Sequence, residues 1–353
     1  MSFDKNDIRA AVGAGILTEL QADQLTTLAN ARQSDQINLS DVDEPFELFR
    51  GFNEIFVVVG MGILFTGWFT IIFGWMDADT WQPMLAGTLS GVLVWLLALY
   101  FTRIRRMLAP SIALAVTFGF SAVLFGNGLA NVAITSSNLS LTLIASVTTA
   151  LLFGYWLYFR VPFTIALVGI AVFATGISPF IGDRNIFDIS DMFLLTANGP
   201  IAFITIALGL IGFAIAMRFD MGDPHRVTRR SLNGFWLHII AAPAIVNTVA
   251  MTLFQNGTGA AQLALLVFIL AMAFVAIVID RRSFLLAGVG YVVALSTTVI
   301  DDGAFIAILT LGLLLVLLGA GWEKIRARIM TALPAFPGKD RLPPYAIAKL
   351  VTP

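Results

Sequence analysis

The chain has 353 residues, of which 58% are hydrophobic and 12% charged, with a formal net charge of −1. A water-soluble domain carries roughly 25% charged residues, so half that share points to a solvent other than water and excludes a disordered or low-complexity chain. The near-zero charge, with no basic face, excludes a nucleic-acid binder. The absence of cysteine removes disulfides, thiolate metal sites, thiol nucleophiles and iron–sulfur clusters.

Residues 1–32 predict a soluble helical hairpin. Ile8, Val12, Ile16 and Leu17 sit at helical spacing, Gly13 and Gly15 interrupt the run, and Thr18 with Gln21 forms a capping-box pattern for a second helix bearing Leu20, Leu25 and Leu28. Two such short helices cannot bury a core of their own, so the hairpin is expected to pack on the membrane domain or on a partner. Residues 33–54 read as an acidic linker with Asp41, Asp43, Glu44 and Glu47, in which Pro45 stops a continuous helix. Residues 1–50 contain no apolar signal region, so the first apolar span is expected to act as an uncleaved insertion signal.

A helix crosses ~30 Å of hydrocarbon with ~20 apolar residues. On that criterion residues 55–322 form an all-α, polytopic bundle of about ten transmembrane helices. The spans fall at 55–75, 84–101, 109–128, 139–158, 162–180, 201–217, 233–254, 262–279, 284–300 and 304–322. No Asp, Glu, Lys or Arg lies inside any of them, in keeping with a cost of ~2.5–3.5 kcal/mol for such a residue at a span centre. Of the 21 lysines and arginines, all but Arg184 fall on the side that holds both termini. The positive-inside rule makes that side cytoplasmic.

Span five begins FTIALVGIAV (Phe163–Val172) and span nine FLLAGVGYVV (Phe284–Val293); spans three and seven end in FGNG (Phe125–Gly128) and FQNG (Phe254–Gly257). These pairs match spans two to five with spans six to nine, a parallel four-helix internal repeat about an axis along the membrane normal. Chance likeness between apolar helices is the competing reading.

Few polar residues enter the spans. His238 lies in span seven, within GFWLHIIAAPAIVNT, where a histidine marks a proton path, a ligand contact or a hydrogen bond to a neighbouring helix. Pro243 frees the carbonyl of Ile239 and is expected to kink the helix. Asn247 and Thr248 follow, so His238, Pro243, Asn247 and Thr248 are the candidate lining of a polar cavity; a kinked packing helix is the alternative. His225 is the only other histidine, which argues against a polyhistidine metal or haem site.

Asn127 and Asn256, each followed by glycine, read either as an outer gate or as helix ends. Residues 181–199 suggest a short interfacial helix, in which Asp183, Asn185, Asp188 and Asp191 do not match the calcium-loop pattern. Gly60, Gly62, Gly67, Gly169, Gly288 and Gly290 are expected at close helix contacts. The arginine clusters are expected at headgroups and the seven tryptophans near span ends. Residues 323–353 form a basic helix and a proline-rich tail, either a tether or a strand for a partner.

The segments GILTELQADQL (Gly15–Leu25), DEPFELFRGFNEIF (Asp43–Phe56), FDMGDPHRVTRRS (Phe219–Ser231) and RLPPY (Arg341–Tyr345) resemble uncharacterised multi-pass bacterial inner-membrane proteins. Those proteins carry a short N-terminal helical domain of unknown function. The resemblance implies the bacterial cytoplasmic membrane and assigns no activity. No cofactor and no catalytic constellation is expected, because His238 has no carboxylate within its own span. The expected role is a transporter or permease for a small solute. The alternative is a non-catalytic scaffold or sensor that offers the hairpin or the tail to a cytoplasmic protein. The lipid bilayer is the one partner required in either case.

Overall fold

Runs of apolar residues too long for a soluble core build the bundle, and caps of ordinary chemistry divide them. The computed structural model describes residues 14–16, 18, 21, 52–134, 137–181, 193–195, 200–224, 226, 228–284, 309, 312–313 and 316–345. The chain divides into two units, Met1–Glu47 and Leu48–Pro353. In the first, the expected capping box forms: the Thr18 amide donates to Gln21 Oε1 at 3.0 Å, and the Gln21 amide to Thr18 Oγ1 at 3.3 Å. The rest of the expected hairpin and nearly all of the linker lie outside the described residues.

The second unit contains α1 (Phe52–Trp75), α2 (Gln82–Ala98, continued as a π-helical turn over Leu99–Ile104), α3 (Leu108–Ala133), α4 (Ser137–Phe159), α5 (Pro162–Ile181), α6 (Ile201–Met221), α7 (Arg229–Asn256), α8 (Gly259–Ile279) and α9 (Trp322–Ala332). Among the described residues no strand occurs, and eight helices, α1 to α8, are long and apolar enough to cross a membrane. The ninth and tenth expected spans fall largely outside the described residues; Leu309, Gly312, Leu313 and 316–320 are helical.

The helices overrun their apolar spans at the arginine-rich end. Glu54 lies on α1, Arg103 in the π turn, Arg218 and Asp220 on α6, and Arg229 and Arg230 on α7. The charged residues all lie outside the expected span bounds, and the helices run past those bounds because a helix ends where its caps end it and not where apolarity stops. Thr228 caps α7 by accepting from the Arg230 amide at 3.2 Å, and Thr258 caps α8 by accepting from the Ala261 amide at 3.2 Å. Buried Glu54 accepts from the Leu108 and Ala109 amides, placing an acid at the positive end of α3.

The most extensive helix contacts are α6 with α7, α2 with α3 and α4 with α5; α7 also packs on α5 and α8. Glycine sets the closest approaches. A Cβ on Gly87 would lie 2.3 Å from the Phe125 amide nitrogen, and one on Gly128 would lie 2.1 Å from that of Met84, so α2 and α3 touch backbone to backbone at two places. Gly60, Gly62 and Gly67 meet nothing within 4 Å among the described residues, and Gly169 makes only ordinary contact with Ile240; Gly288 and Gly290 lie outside them. The crowded glycines are thus not the ones expected from α1. That helix buries Met61, Phe65 and Ile72 along one stripe, while Ile63 and Ile71 stay about 70% exposed. Such an apolar outer surface suits lipid and not water.

Candidate functional site

A buried cluster of ionisable residues meets at the first turns of α7. The last turn of α6 brings Asp220 beside its first turns, where Asp220 Oδ2 lies 2.9 Å from His238 Nε2. Arg281, just past the end of α8, grips the same carboxylate with both arms: Nη2 donates to Oδ1 at 2.6 Å and Nε to Oδ2 at 3.0 Å. Nη2 also donates to the Ser231 carbonyl at 3.1 Å. Asp220, His238 and Arg281 are all at most 3% exposed. An isolated charge could not be buried this way, whereas a bidentate pair with further hydrogen bonds can.

Gly234 makes room for the cluster, since a Cβ there would fall 2.2 Å from Asp220 Oδ1. Phe213 and Phe284 meet the His238 ring edge to face. An ionised carboxylate only accepts, so Nε2 carries the proton, and Nδ1 has no hydrogen-bond partner among the described residues.

The adjacent residue extends the network. Asp280, in left-handed conformation at φ 60°, accepts from Trp322 Nε1 at 2.6 Å and pairs with Arg226 at 3.0 Å. Arg326 on α9 lies 3.8 Å from the same carboxylate and donates to the carbonyls of Pro343 and Pro344 at 2.7 and 2.9 Å. Asp223 accepts from both the amide and the hydroxyl of Thr228 at 2.7 Å. One continuous polar web therefore ties the α6–α7 turn, the end of α8, α9 and the proline-rich tail. Trp322, expected in an interfacial belt, and Arg281 and Arg326, expected at headgroups, are buried inside it.

The four residues singled out from the sequence separate. His238 belongs to the ion cluster and makes the hydrogen bond to a neighbouring helix. Thr248 is buried and donates to the Ala244 carbonyl of its own helix at 2.6 Å. Asn247 is half-buried. Pro243, inside α7, lines a cavity of about 800 Å³ whose walls come from α3, α4, α5, α6 and α7. The other three do not line it, and its walls are apolar apart from Thr148, Ser178 and Thr205.

Asn127 and Asn256 also diverge. Asn256 ends α7, with Gly257 left-handed at φ 66°, whereas α3 runs on past Asn127 to Ala133. Asn127 and Asn131 donate to the Ala78 carbonyl at 3.3 and 2.8 Å, which pins the α1–α2 turn to α3. Of the expected interfacial segment, Phe193–Leu195 is described; the Leu195 amide donates to Thr252 on α7 at 3.0 Å. Asp183, Asn185, Asp188, Asp191 and His225 lie outside the described residues.

Sequence reasoning found His238 and missed its partners. Asp220 stood three residues beyond the expected end of span six, and Arg281 looked like one more flanking arginine. The signal available was the acid–base pairing of FDMGD with DRR at the ends of consecutive same-side turns. Among the described residues no three His, Asp or Glu side chains meet as a metal ion would require, and both Asp220 oxygens are already held by Arg281. Comparison of the chain with protein-family models, with curated proteins and with solved structures finds no match.

Proposed function

We propose that this integral membrane protein is transporter-like and handles a small solute through the cavity among α3 to α7. The observation that carries this reading is the cavity itself: about 800 Å³, within the ~300–1,000 Å³ range of small-molecule sites, formed by five helices, bordered by the proline of α7 and open to the outside of the bundle along the exposed Val116, Phe120, Val123 and Ile170. Helices with an internal proline are where membrane bundles bend around a site.

The test is uptake into proteoliposomes containing the purified chain, with a panel of uncharged solutes. Flux of one solute that disappears in Ala174→Trp, which fills the cavity wall, supports the reading. Flux indifferent to that substitution refutes it. His238→Ala should reduce flux only as far as it reduces folded protein, because His238 stands off the cavity.

We place the chain in a bacterial inner membrane with both termini cytoplasmic and about ten spans. The clustering of arginines at one end of the described helices supports that orientation. The parallel repeat has support in the turns. Arg106, Arg160, Arg226 and Asp280 are the four non-glycine residues with positive φ among those described, one in each turn at the arginine-rich end. Arg106 with Arg226, and Arg160 with Asp280, recur at equal spacing. The scaffold alternative has less support, since the tail carbonyls of Pro343 and Pro344 are already bound by Arg326. A non-catalytic reading fits the ion cluster, where among the described residues no hydroxyl is hydrogen-bonded to His238.

A further inference from the structure

We infer that the groove between α2 and α4, at the arginine-rich end, binds one anionic phospholipid, with an acyl chain in the groove and the phosphate on Arg103. The site shares no lining residue with the cavity among α3 to α7, and the inference does not rest on that reading.

The groove gives the chain its place. It is lined by Trp95 of α2, Phe118 of α3 and the face of α4 from Ala150 to Tyr158, around a volume of about 530 Å³. Phe118 and Tyr155 are buried at its floor, while Leu151, Leu157 and Tyr158 are exposed along its mouth. From Ala150 to Tyr158 the helix rises ~12 Å, all within the apolar span Leu139–Phe159. An occupant at that depth is hydrocarbon and not a water-soluble molecule. Trp95 meets Tyr155 and Tyr158 with ring centroids 5.9 and 5.0 Å apart, which sets both walls before anything binds.

Arginine gives the head its place. Arg103, exposed at the end of α2, donates from Nη2 to the Tyr158 carbonyl at 3.0 Å and lays its guanidinium 4.1 Å over the Tyr158 ring. The groove therefore ends at a guanidinium held by a residue of its own wall. Of the five N–H donors of a guanidinium that carbonyl takes one, and the planar fork suits phosphate oxygens. Arg105, Arg106 and Arg160 stand exposed in the α2–α3 and α4–α5 turns, and no carboxylate pairs with any of the four arginines among the described residues. Glu54, the acid at that end of α1, is buried and accepts from the Leu108 and Ala109 amides. The local excess of positive charge selects an anion. Free phosphate would use the arginine without the groove, and an uncharged lipid the groove without the arginine. A phospholipid uses both.

The test uses the full chain in phosphatidylcholine nanodiscs doped with phosphatidylglycerol that carries a photoreactive acyl chain, or with diacylglycerol that carries the same chain. The phospholipid should label the Ala150–Tyr158 peptide about tenfold more than the diacylglycerol, one charge-assisted hydrogen bond's worth of affinity. Arg103→Gln should bring it down to the diacylglycerol level. Gly154→Trp should block both lipids at that peptide, because a Cβ at Gly154 meets nothing within 4 Å and the larger side chain fills the groove without a clash at its root. Equal labelling by the two lipids, or full phospholipid labelling of either variant, overturns the inference. Labelling lost equally for both lipids in Arg103→Gln would mean that Arg103 only positions Tyr158, and overturns it too. Competition by glycerol phosphate would reveal an anion site that needs no chain, and labelling spread evenly over the exposed faces of α1 and α4 would reveal a lipid coat without a site. Either result refutes it.

Discussion

At the scale of single residues, the Asp220 carboxylate is the most committed group in the described structure, with three donor contacts from two helices' worth of sequence distance. Removing one member of a buried ion pair leaves the other charge without compensation, a loss of about 3–5 kcal/mol. Arg281→Met and Asp220→Leu should each lower the unfolding free energy of the detergent-solubilised protein by that amount. The combined variant should lose less than either, and a double-mutant cycle on the thermal or denaturant transition checks the coupling. Additive losses would mean the pair does not interact as drawn. Gly234→Ala should mimic the Asp220 loss, because its methyl would occupy the place of Oδ1. His238 was legible because a histidine in an apolar run is conspicuous. Asp220 and Arg281 were not, since charges at helix ends are what every membrane protein has, and only the third dimension distinguishes a paired one from a solvated one.

At the scale of elements, helix identity was legible and helix contacts were not. Apolar length located α1 to α8 to within a few residues, since lipid thickness imposes a minimum that nothing else in the sequence imitates. Contact depends on which face meets which neighbour, and a helix apolar all round gives no such bias. Gly60, Gly62 and Gly67 illustrate this: dense glycine in α1 marks no crowded contact in the described structure, whereas Gly87 and Gly128 seat α2 against α3. Gly128→Ala should therefore cost about 1–3 kcal/mol from forced separation of the two backbones, while Gly60→Ala should be neutral or mildly stabilising through helix propensity. Melting temperatures of the two variants, measured side by side, decide the point. The N-G pairs teach the same lesson. Asn256 ends a helix because Gly257 adopts positive φ, while Gly128 is needed for its missing Cβ and the helix continues through it.

At the scale of the whole molecule, the segregation of arginine organises both topology and interior. A reporter fused after Asn138 or Asn256 should behave as external; cytoplasmic behaviour at either place would overturn the orientation. The candidate cavity was not legible, since its walls come from five helices and no pattern of residue types announces which faces of them meet. The tail was legible as proline-rich but not as self-bound. Arg326→Ala should free it, and limited proteolysis should then cut between Leu333 and Tyr345 at least several-fold faster than in the parent chain, with the membrane helices intact. An unchanged rate would mean that the Arg326 contacts do not secure the segment.

The pairing of Asp220 with Arg281 also constrains biogenesis. During synthesis α6 is delivered well before the residue that neutralises its acid, so a nascent chain that has inserted α6 and α7 carries a stranded carboxylate at the membrane edge until the ribosome has finished α8. Truncation between Asn256 and Asp280 would make that temporary state permanent. Such a fragment should be short-lived in the cell, cleared by membrane proteases as an orphan half, even though every helix in it is apolar enough to insert.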